Sequence, residues 1–302
     1  MDVRQLRYFS AIVDAKSFTG AADRVNVAQP ALGLQVRKLE EELGVSLLYR
    51  HSRGVIPTEA GTVLMRHANA ILKQIEQAKQ EVIDVSGPPR GDIVLGITPT
   101  ASALLALPLV KACRSQYPDI SLKLFEGLSE EIMRMLNENI LDMGFTYNPE
   151  LVSGIRTEPL LEEELHLVTS VDSMGIGDTI PFKSVCDRKL ILPSRGFGLR
   201  ECVESAARKH GYDLNVILEI DAVATTRDLV ESGIGCTVLP VAAVQKEVAA
   251  GLLVSAHILQ PHITRKLHFG YAASFIETNA SRALNQVIQR VVADLGLGRI
   301  EE

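Results

Sequence analysis

Seven apolar residues, Leu64, Ala68, Ile71, Ile75, Ala78, Val82 and Val85, recur at spacings of 4, 3, 4, 3, 4 and 3. That is a heptad seam held over about three heptads, the pattern of helices that pair along a narrow stripe. A helix lying on its own domain would instead carry a wider apolar stripe of period 3.6. The spacing therefore predicts one helix from Glu59, capped by Thr58, to Ser86. Such a helix is roughly 42 Å long at 1.5 Å per residue. It both separates two parts of the chain and pairs two copies of it, so residues 59–86 are expected to dimerise.

The segment before the seam reads as short helices. Leu6, Phe9, Ile12 and Val13 share one helical face, and Asp2 with Gln5 has the form of a capping box. Ser17 is placed to cap a second helix, FTGAADRV, and a third opens at Gln29-Pro30, with Pro in the first turn where its missing N–H costs nothing. The third helix turns Leu32, Val36 and Leu39 inward and Gln29, Gly33, Gln35, Arg37 and Lys38 outward. Helix, short turn and a helix with a polar outer face make a helix-turn-helix. VSLLYR and the residues to IPT then read as two strands around a turn, a wing whose Arg50 and Arg53 are placed to meet phosphates or a minor groove. Charge agrees: residues 1–80 hold 11 Lys and Arg against 8 Asp and Glu, whereas the whole chain is at −6. A mildly basic head on an acidic body points to a polyanion-binding module joined to a part with another task.

Ser86-Gly-Pro-Pro-Arg-Gly91 breaks the pattern, and strands then alternate with helices: DIVLGIT, a helix from Ser102 to Gln116, ISLKLFEG, SEEIMRMLNENI and LDMGFTY. This βαβαβ order predicts a parallel sheet covered by helices. A second unit follows: LHLVTS, a helix-poor loop, KLILPS, a helix from Leu199 to His210, VILEID, TTRDLVESGI and CTVLP. The chain returns through LHFGYAAS and ends in a helix over 280–295. The expected body, 92–302, thus has one lobe at about 92–161 with 268–302 and another at about 162–267. Between two such lobes strand ends and helix N-termini converge on a cleft.

Hydroxyls gather at those turns. Thr98, Thr100 and Ser102 stand where the first strand meets its helix, beside free N–H groups and the positive end of a helix dipole, a setting that favours an anion. Ser129, Thr146, Ser194, Phe197, Thr225 and Thr226 are further candidates, although Ser and Thr cap helices everywhere. Arg195 and Arg200 could meet a carboxylate or sulfonate, or pair with Glu201 or Glu204.

Other classes find little support. GFGLRE lacks the third glycine of a dinucleotide fingerprint, and no GxSxG, HExxH or GxxxxGK[ST] motif occurs. The seven histidines do not cluster along the chain with acidic residues at metal spacing, and no cofactor is implied. Cys113, Cys186, Cys202 and Cys236 show no CxxC spacing and read as free thiols of a reducing compartment. No apolar stretch reaches the 18 residues of a membrane helix, and the amino end has no apolar run of a secretory signal, so a cytoplasmic, non-membrane protein is expected.

The stretch LRYFSAIVDAKSFTGAADRVNVAQPALGLQVRKLEEELGVSLLYR, then PTEAG, GDIVLGI, LPSRGFGLR and DLVESGIGCTVLP, resembles the LysR-type transcriptional regulators over nearly the whole chain. The resemblance implies an α/β chain with a largely α-helical winged helix-turn-helix head (1–58), a coiled-coil linker helix, and a two-lobed effector domain folded like periplasmic binding proteins. It implies a homodimer or dimer of dimers acting on double-stranded promoter DNA in response to a small effector. It makes Gln29, Pro30, Gln35, Arg37 and Arg53 DNA-facing, with Lys38 and Arg50 beside them. Gln can bond adenine bidentately, Pro can rest on a thymine methyl, and Arg serves guanine or phosphate. The family often has Ser at Gly33 and a polar residue at Leu34, so one hydroxyl contact is missing here. Two other readings stay open: a regulator without an effector, and a two-lobed binding protein whose head contacts protein.

Overall fold

The computed structural model describes residues 1–51, 54–83, 87–149, 152–172 and 177–295. The head is built from α1 (Val3–Ala15), α2 (Phe18–Arg24), α3 (Gln29–Leu43), β1 (Leu48–His51) and β2 (Gly54–Pro57), followed by the long α4 (Glu59–Ile83). Local chemistry sets these boundaries. Asp2 and Gln5 form the reciprocal capping box of α1, Ser17 Oγ accepts from Gly20 N–H to open α2, and α3 opens on Pro30 without a side-chain cap. Phe9, Ile12, Ala21, Leu32, Val36 and Leu39 close a small core between the three helices and the wing.

The start of α4 is locked to the wing. Thr58 Oγ1 accepts from Gly61 N–H at 3.0 Å and donates to the Ser46 carbonyl at 2.7 Å. A Cβ at Gly61 would sit 2.0 Å from the Leu47 carbonyl oxygen, so only glycine lets helix and wing approach this closely. Further along, α4 lies against α1: Leu64 packs on the head core, Ala68 is fully buried, and Ser10 Oγ meets Asn69 Oδ1 at 3.5 Å. The first part of the predicted pairing seam is therefore covered by the chain's own head. Ala78 and Val82 stand exposed, Ile71 and Ile75 are half-buried, and Val85 lies outside the described residues.

The body alternates strands and helices in the expected order: β3 (Gly91–Ile97), α5 (Pro99–Gln116), β4 (Ile120–Glu126), α6 (Ser129–Asn137), β5 (Met143–Tyr147), β6 (Ile155–Ser170), β7 (Thr179–Pro181), α7 (Phe182–Cys186), β8 (Leu190–Leu192), α8 (Gly198–His210), β9 (Val216–Glu219), α9 (Val223–Glu231), β10 (Thr237–Pro240), α10 (Gln245–Ala249), β11 (Leu253–Leu259), β12 (Thr264–Ala272) and α11 (Asn279–Asp294). The sheet is mixed, not all parallel. β3 runs parallel to β4 and β5, and β8 parallel to β9, but β12 lies antiparallel to both β5 and β6. The return strand imposes this: β12 re-enters the first lobe alongside β6, the strand that left it, and so runs in the opposite direction.

β6 is the strand on which the two halves meet. Ile155–Glu164 pairs with β12, whereas His166–Ser170 pairs with β11 and Leu165–Val168 (in part the same residues) with β10. One core gathers Ile97, Leu105, Phe145, Leu267 and Leu284; a second gathers Leu167, Phe182, Leu192, Val203 and Val238. The stretch read as a helix-poor loop carries β7 and the short α7, and β11 and the first half of β6 are strands that periodicity did not single out.

Candidate functional site

Two surfaces have the geometry of sites, and the first is the outer face of α3. Pro30, Leu34, Arg37 and Lys38 are exposed along one side of that helix, and Gln29 is exposed at its start with Oε1 accepting from Thr19 Oγ1 at 3.2 Å. Gln35 is half-buried beside them. Leu34 is 50% exposed, an apolar side chain between Pro30 and the charged Arg37 and Lys38. A Cβ at Gly33 would meet nothing within 4 Å, so glycine here is a matter of surface and not of packing. Arg50 in the wing lies 4.7 Å over the Phe18 ring and 3.9 Å from Glu40, which holds its guanidinium beside the recognition helix. Arg53 falls outside the described residues.

The second surface is a cleft of about 540 Å³ between the lobes, counted out to solvent. Thr98, Thr100, Ser129 and Tyr147 line it from the first lobe, and Phe197, Thr226 and Thr237 from the second. The N-termini of α5, α6, α8 and α9 all open onto it, and none of the four carries a side-chain cap hydrogen bond. Their first-turn N–H groups and dipoles therefore face one space. Thr98 Oγ1 and Thr237 Oγ1 are buried there without hydrogen-bond partners, and the Tyr147 hydroxyl, close to Glu163 and Thr100, makes no well-aligned hydrogen bond.

At the base sits Arg265, 2% exposed, its Cζ 3.6 Å over the Tyr147 ring. Its Nε donates to Glu163 Oε2 at 3.0 Å. Nη2 lies 2.9 Å from the same oxygen but out of hydrogen-bond alignment, so that nitrogen and Glu163 Oε1 keep unused capacity. Burial pushes the Tyr147 hydroxyl well above its usual range, with Arg265 pulling the other way and Glu163 pushing with burial; the phenol is a neutral donor.

Several expected residues lie elsewhere. Ser102, one turn into α5, is half-buried and outside the cleft lining. Thr146 precedes Tyr147 in β5 and so faces the other side of the strand, with Oγ1 buried and unpartnered. Ser194 spends its backbone N–H on Asp221 Oδ1 at 2.9 Å and does not line the cleft, and Thr225 is exposed. Thr226 lines the cleft, but its hydroxyl donates to the Ala222 carbonyl at 3.1 Å. Arg195 and Arg200 both reach Glu204, at 3.4 and 2.8 Å, within the second lobe, and the Arg200 hydrogen bond holds that carboxyl below its usual range. Tyr147, Arg265, Glu163 and Thr237 carry no local signal in the sequence: Arg265 and Lys266 read there as an ordinary pair of surface cations.

Residues 3–62 match the family described as bacterial regulatory helix-turn-helix protein, lysR family, and residues 86–293 match the LysR substrate binding domain. The nitrogen assimilation regulatory protein nac of Klebsiella aerogenes is 34% identical over 294 residues, 97% of this chain and 96% of that protein. The chain belongs to the LysR family of transcriptional regulators. In solved structures the same fold recurs in a full-length OxyR of Pseudomonas aeruginosa, with a TM-score of 0.79 at 24% identity, covering 97% of this chain and 94% of that one. It recurs also in full-length CbnR complexed with its target DNA, with a TM-score of 0.66 at 21% identity, covering 96% and 100%. This LysR-family chain thus joins a DNA-binding helix-turn-helix to an effector-binding domain, and among its described residues no helix is long and apolar enough to cross a membrane.

Proposed function

We propose that the chain is a ligand-responsive regulator whose effector is a small carboxylate or sulfonate, held between the lobes, and whose DNA contacts come from Gln29, Pro30, Gln35, Arg37, Lys38, Arg50 and Arg53. The observation that carries the effector class is the meeting of four uncapped helix N-termini on one cleft that also holds unpartnered buried hydroxyls. The lining also carries one carboxylate, Asp221, whose Oδ1 is taken by Ser194 N–H, so the first-turn N–H groups outnumber the charged acceptors and favour a negatively charged occupant. Arg265 is already matched by Glu163, so the pull on an anion comes from oriented N–H and O–H dipoles more than from a free cation. Because the lining comes from both lobes, an occupant stabilises one lobe angle over others, and that shift of population is the signal.

A panel of small carboxylates, aromatic acids, sulfonates and inorganic anions in a thermal-unfolding experiment tests the reading. A ligand at a hundred times its Kd stabilises by about 2.7 kcal/mol. The expected outcome is a shift with one anion class that is lost in Thr98→Val and Tyr147→Phe. No shift with any anion, or one indifferent to both substitutions, removes the anion site.

A further inference from the structure

Outside the cleft and the DNA face, one cluster combines ligand chemistry with a place in the fold that has consequences. Glu164 and His166 are two apart in β6 and therefore project from the same face of the strand. His257 stands directly opposite His166 on antiparallel β11, a register partner on that face. The two imidazole centroids are 4.1 Å apart, and His257 Nδ1 lies 3.2 Å from Glu164 Oε2. One ligand atom from each of the three residues falls within 4.8 Å of the other two. His166 is only 7% exposed, and its Nδ1 is buried with no hydrogen-bond partner.

We infer that Glu164, His166 and His257 form a binding site for a divalent transition metal ion of the zinc type. Two imidazoles and one carboxylate are the donor set that suits Zn²⁺, Ni²⁺ or Cu²⁺, whereas Ca²⁺ and Mg²⁺ want oxygen alone. A tetrahedral ion with bonds of about 2.0–2.1 Å holds its ligands about 3.3 Å apart, so the His257–Glu164 edge is already at the required separation. Three protein ligands leave a fourth position open to water, and half-exposed Glu164 and His257 leave the ion a path from solvent. The chain's histidines do not group by spacing because the third ligand comes from 91 residues away across a strand pair. The ion would also stand at a junction: Glu164 belongs to the part of β6 that pairs with β12, and His166 to the part that pairs with β11. An ion shared by them and His257 ties together the point where the two lobes cross.

The test is titration of the purified full-length protein with Zn²⁺, followed by calorimetry and by Co²⁺ absorption. The expected result is one ion per chain and a Co²⁺ spectrum of tetrahedral form without thiolate charge-transfer bands. Affinity is expected to drop about a hundredfold or more in Glu164→Gln and in His257→Gln, since losing even an outer partner costs ~10–100-fold. Both residues are half-exposed, so neither change threatens folding, and His210→Gln serves as the control that leaves affinity unchanged. Absence of saturable binding, binding unaltered by both substitutions, or a thiolate spectrum overturns the site. None of these outcomes depends on what occupies the cleft.

Discussion

Glu163 and Arg265 face each other almost wholly out of water, their side chains 2% and 1% exposed. Each is tolerable only because of the other: desolvating one ion costs several kcal/mol, which the partner's proximity offsets. Glu163→Ala would strand the guanidinium under Tyr147, and the effector domain is expected to lose about 3–5 kcal/mol in urea unfolding. Glu163→Leu combined with Arg265→Met removes both charges and is expected to recover much of that loss; a single-substitution cost below ~1 kcal/mol would mean that water reaches the pair. Sequence reading passed over the pair for a physical reason. Glu162, Glu163 and Glu164 look like a solvated charge run, yet strand alternation turns the middle one inward while its neighbours stay exposed. The counterpart lies 102 residues further on, beyond any local pattern. A second residue carries a pH signature. Burial first, and Lys266 second, push the His268 imidazole below its ordinary value of 6.5. The folded state then binds fewer protons than the unfolded one, so stability is intact at neutral pH and is lost as pH falls below about 6.5. His268→Gln is expected to shrink the drop in Tm between pH 7.5 and 5.5; an unchanged drop would assign it to other groups.

Among the elements, those with local signals were legible and those set by distant partners were not. The caps at Asp2 and Ser17 and the proline at the start of α3 stand where local chemistry puts them, and in the body so do the Thr278–Ser281 box that opens α11 and the left-handed Gly211 that ends α8. The helix expected from Ser102 begins three residues earlier, because Pro99 supplies a first turn as Pro30 does in α3. The first half of β6 escaped notice because Pro159 and a crowd of glutamates argue against a strand. Pro159 in fact sits where the register with β12 shifts, the bulge position at which a missing N–H is tolerated. One contact between elements also links the two sites. Lys73 of α4 reaches Asp142 at 2.7 Å, and Asp142 Oδ2 accepts from Val94 N–H of β3 at 2.7 Å, just ahead of β5. β3 and β5 run on from that point to Thr98 and Tyr147 at the cleft. Asp142→Asn keeps an acceptor for Val94 and removes the charge that holds Lys73. Effector affinity is expected to stay within about twofold while the effector's influence on DNA binding declines. A variant in which DNA binding still follows the effector fully would exclude the Lys73–Asp142 contact as the route, since Asn69 and Lys73 keep their bonds to the Glu138 and Asn139 carbonyls.

At the scale of the molecule, a single recognition helix can read one half-site, and twofold pairing supplies the second at a fixed spacing. The heptad spacing leads one to expect a pairing stripe, and it does not say how much of that stripe the chain uses for itself. Ala68 at 0% exposure is closed off against the head, while Val82 is 76% exposed on the far part of α4. The difference arises because α1 runs beside the long helix past Asn69, which Ser10 meets, only as far as Glu76, whose ion pair with Arg7 at 3.5 Å is the last described link between the two. Pairing of two copies is therefore proposed to rest on the Ala78–Val82 end, and substitutions along the seam should divide accordingly. Ala68→Glu places a charge in a buried position and is expected to lower the stability of the head itself. Val82→Glu costs the isolated fold little, since the side chain is in water already, yet it sets like charges across a paired seam. Sedimentation is expected to find the Val82→Glu protein monomeric at concentrations where the parent is a dimer. Its DNA affinity should fall steeply on dilution while its far-ultraviolet dichroism stays that of the parent. If Val82→Glu remains a dimer with full DNA affinity, the pairing surface lies off this helix, and the seam is a consequence of packing against the head alone.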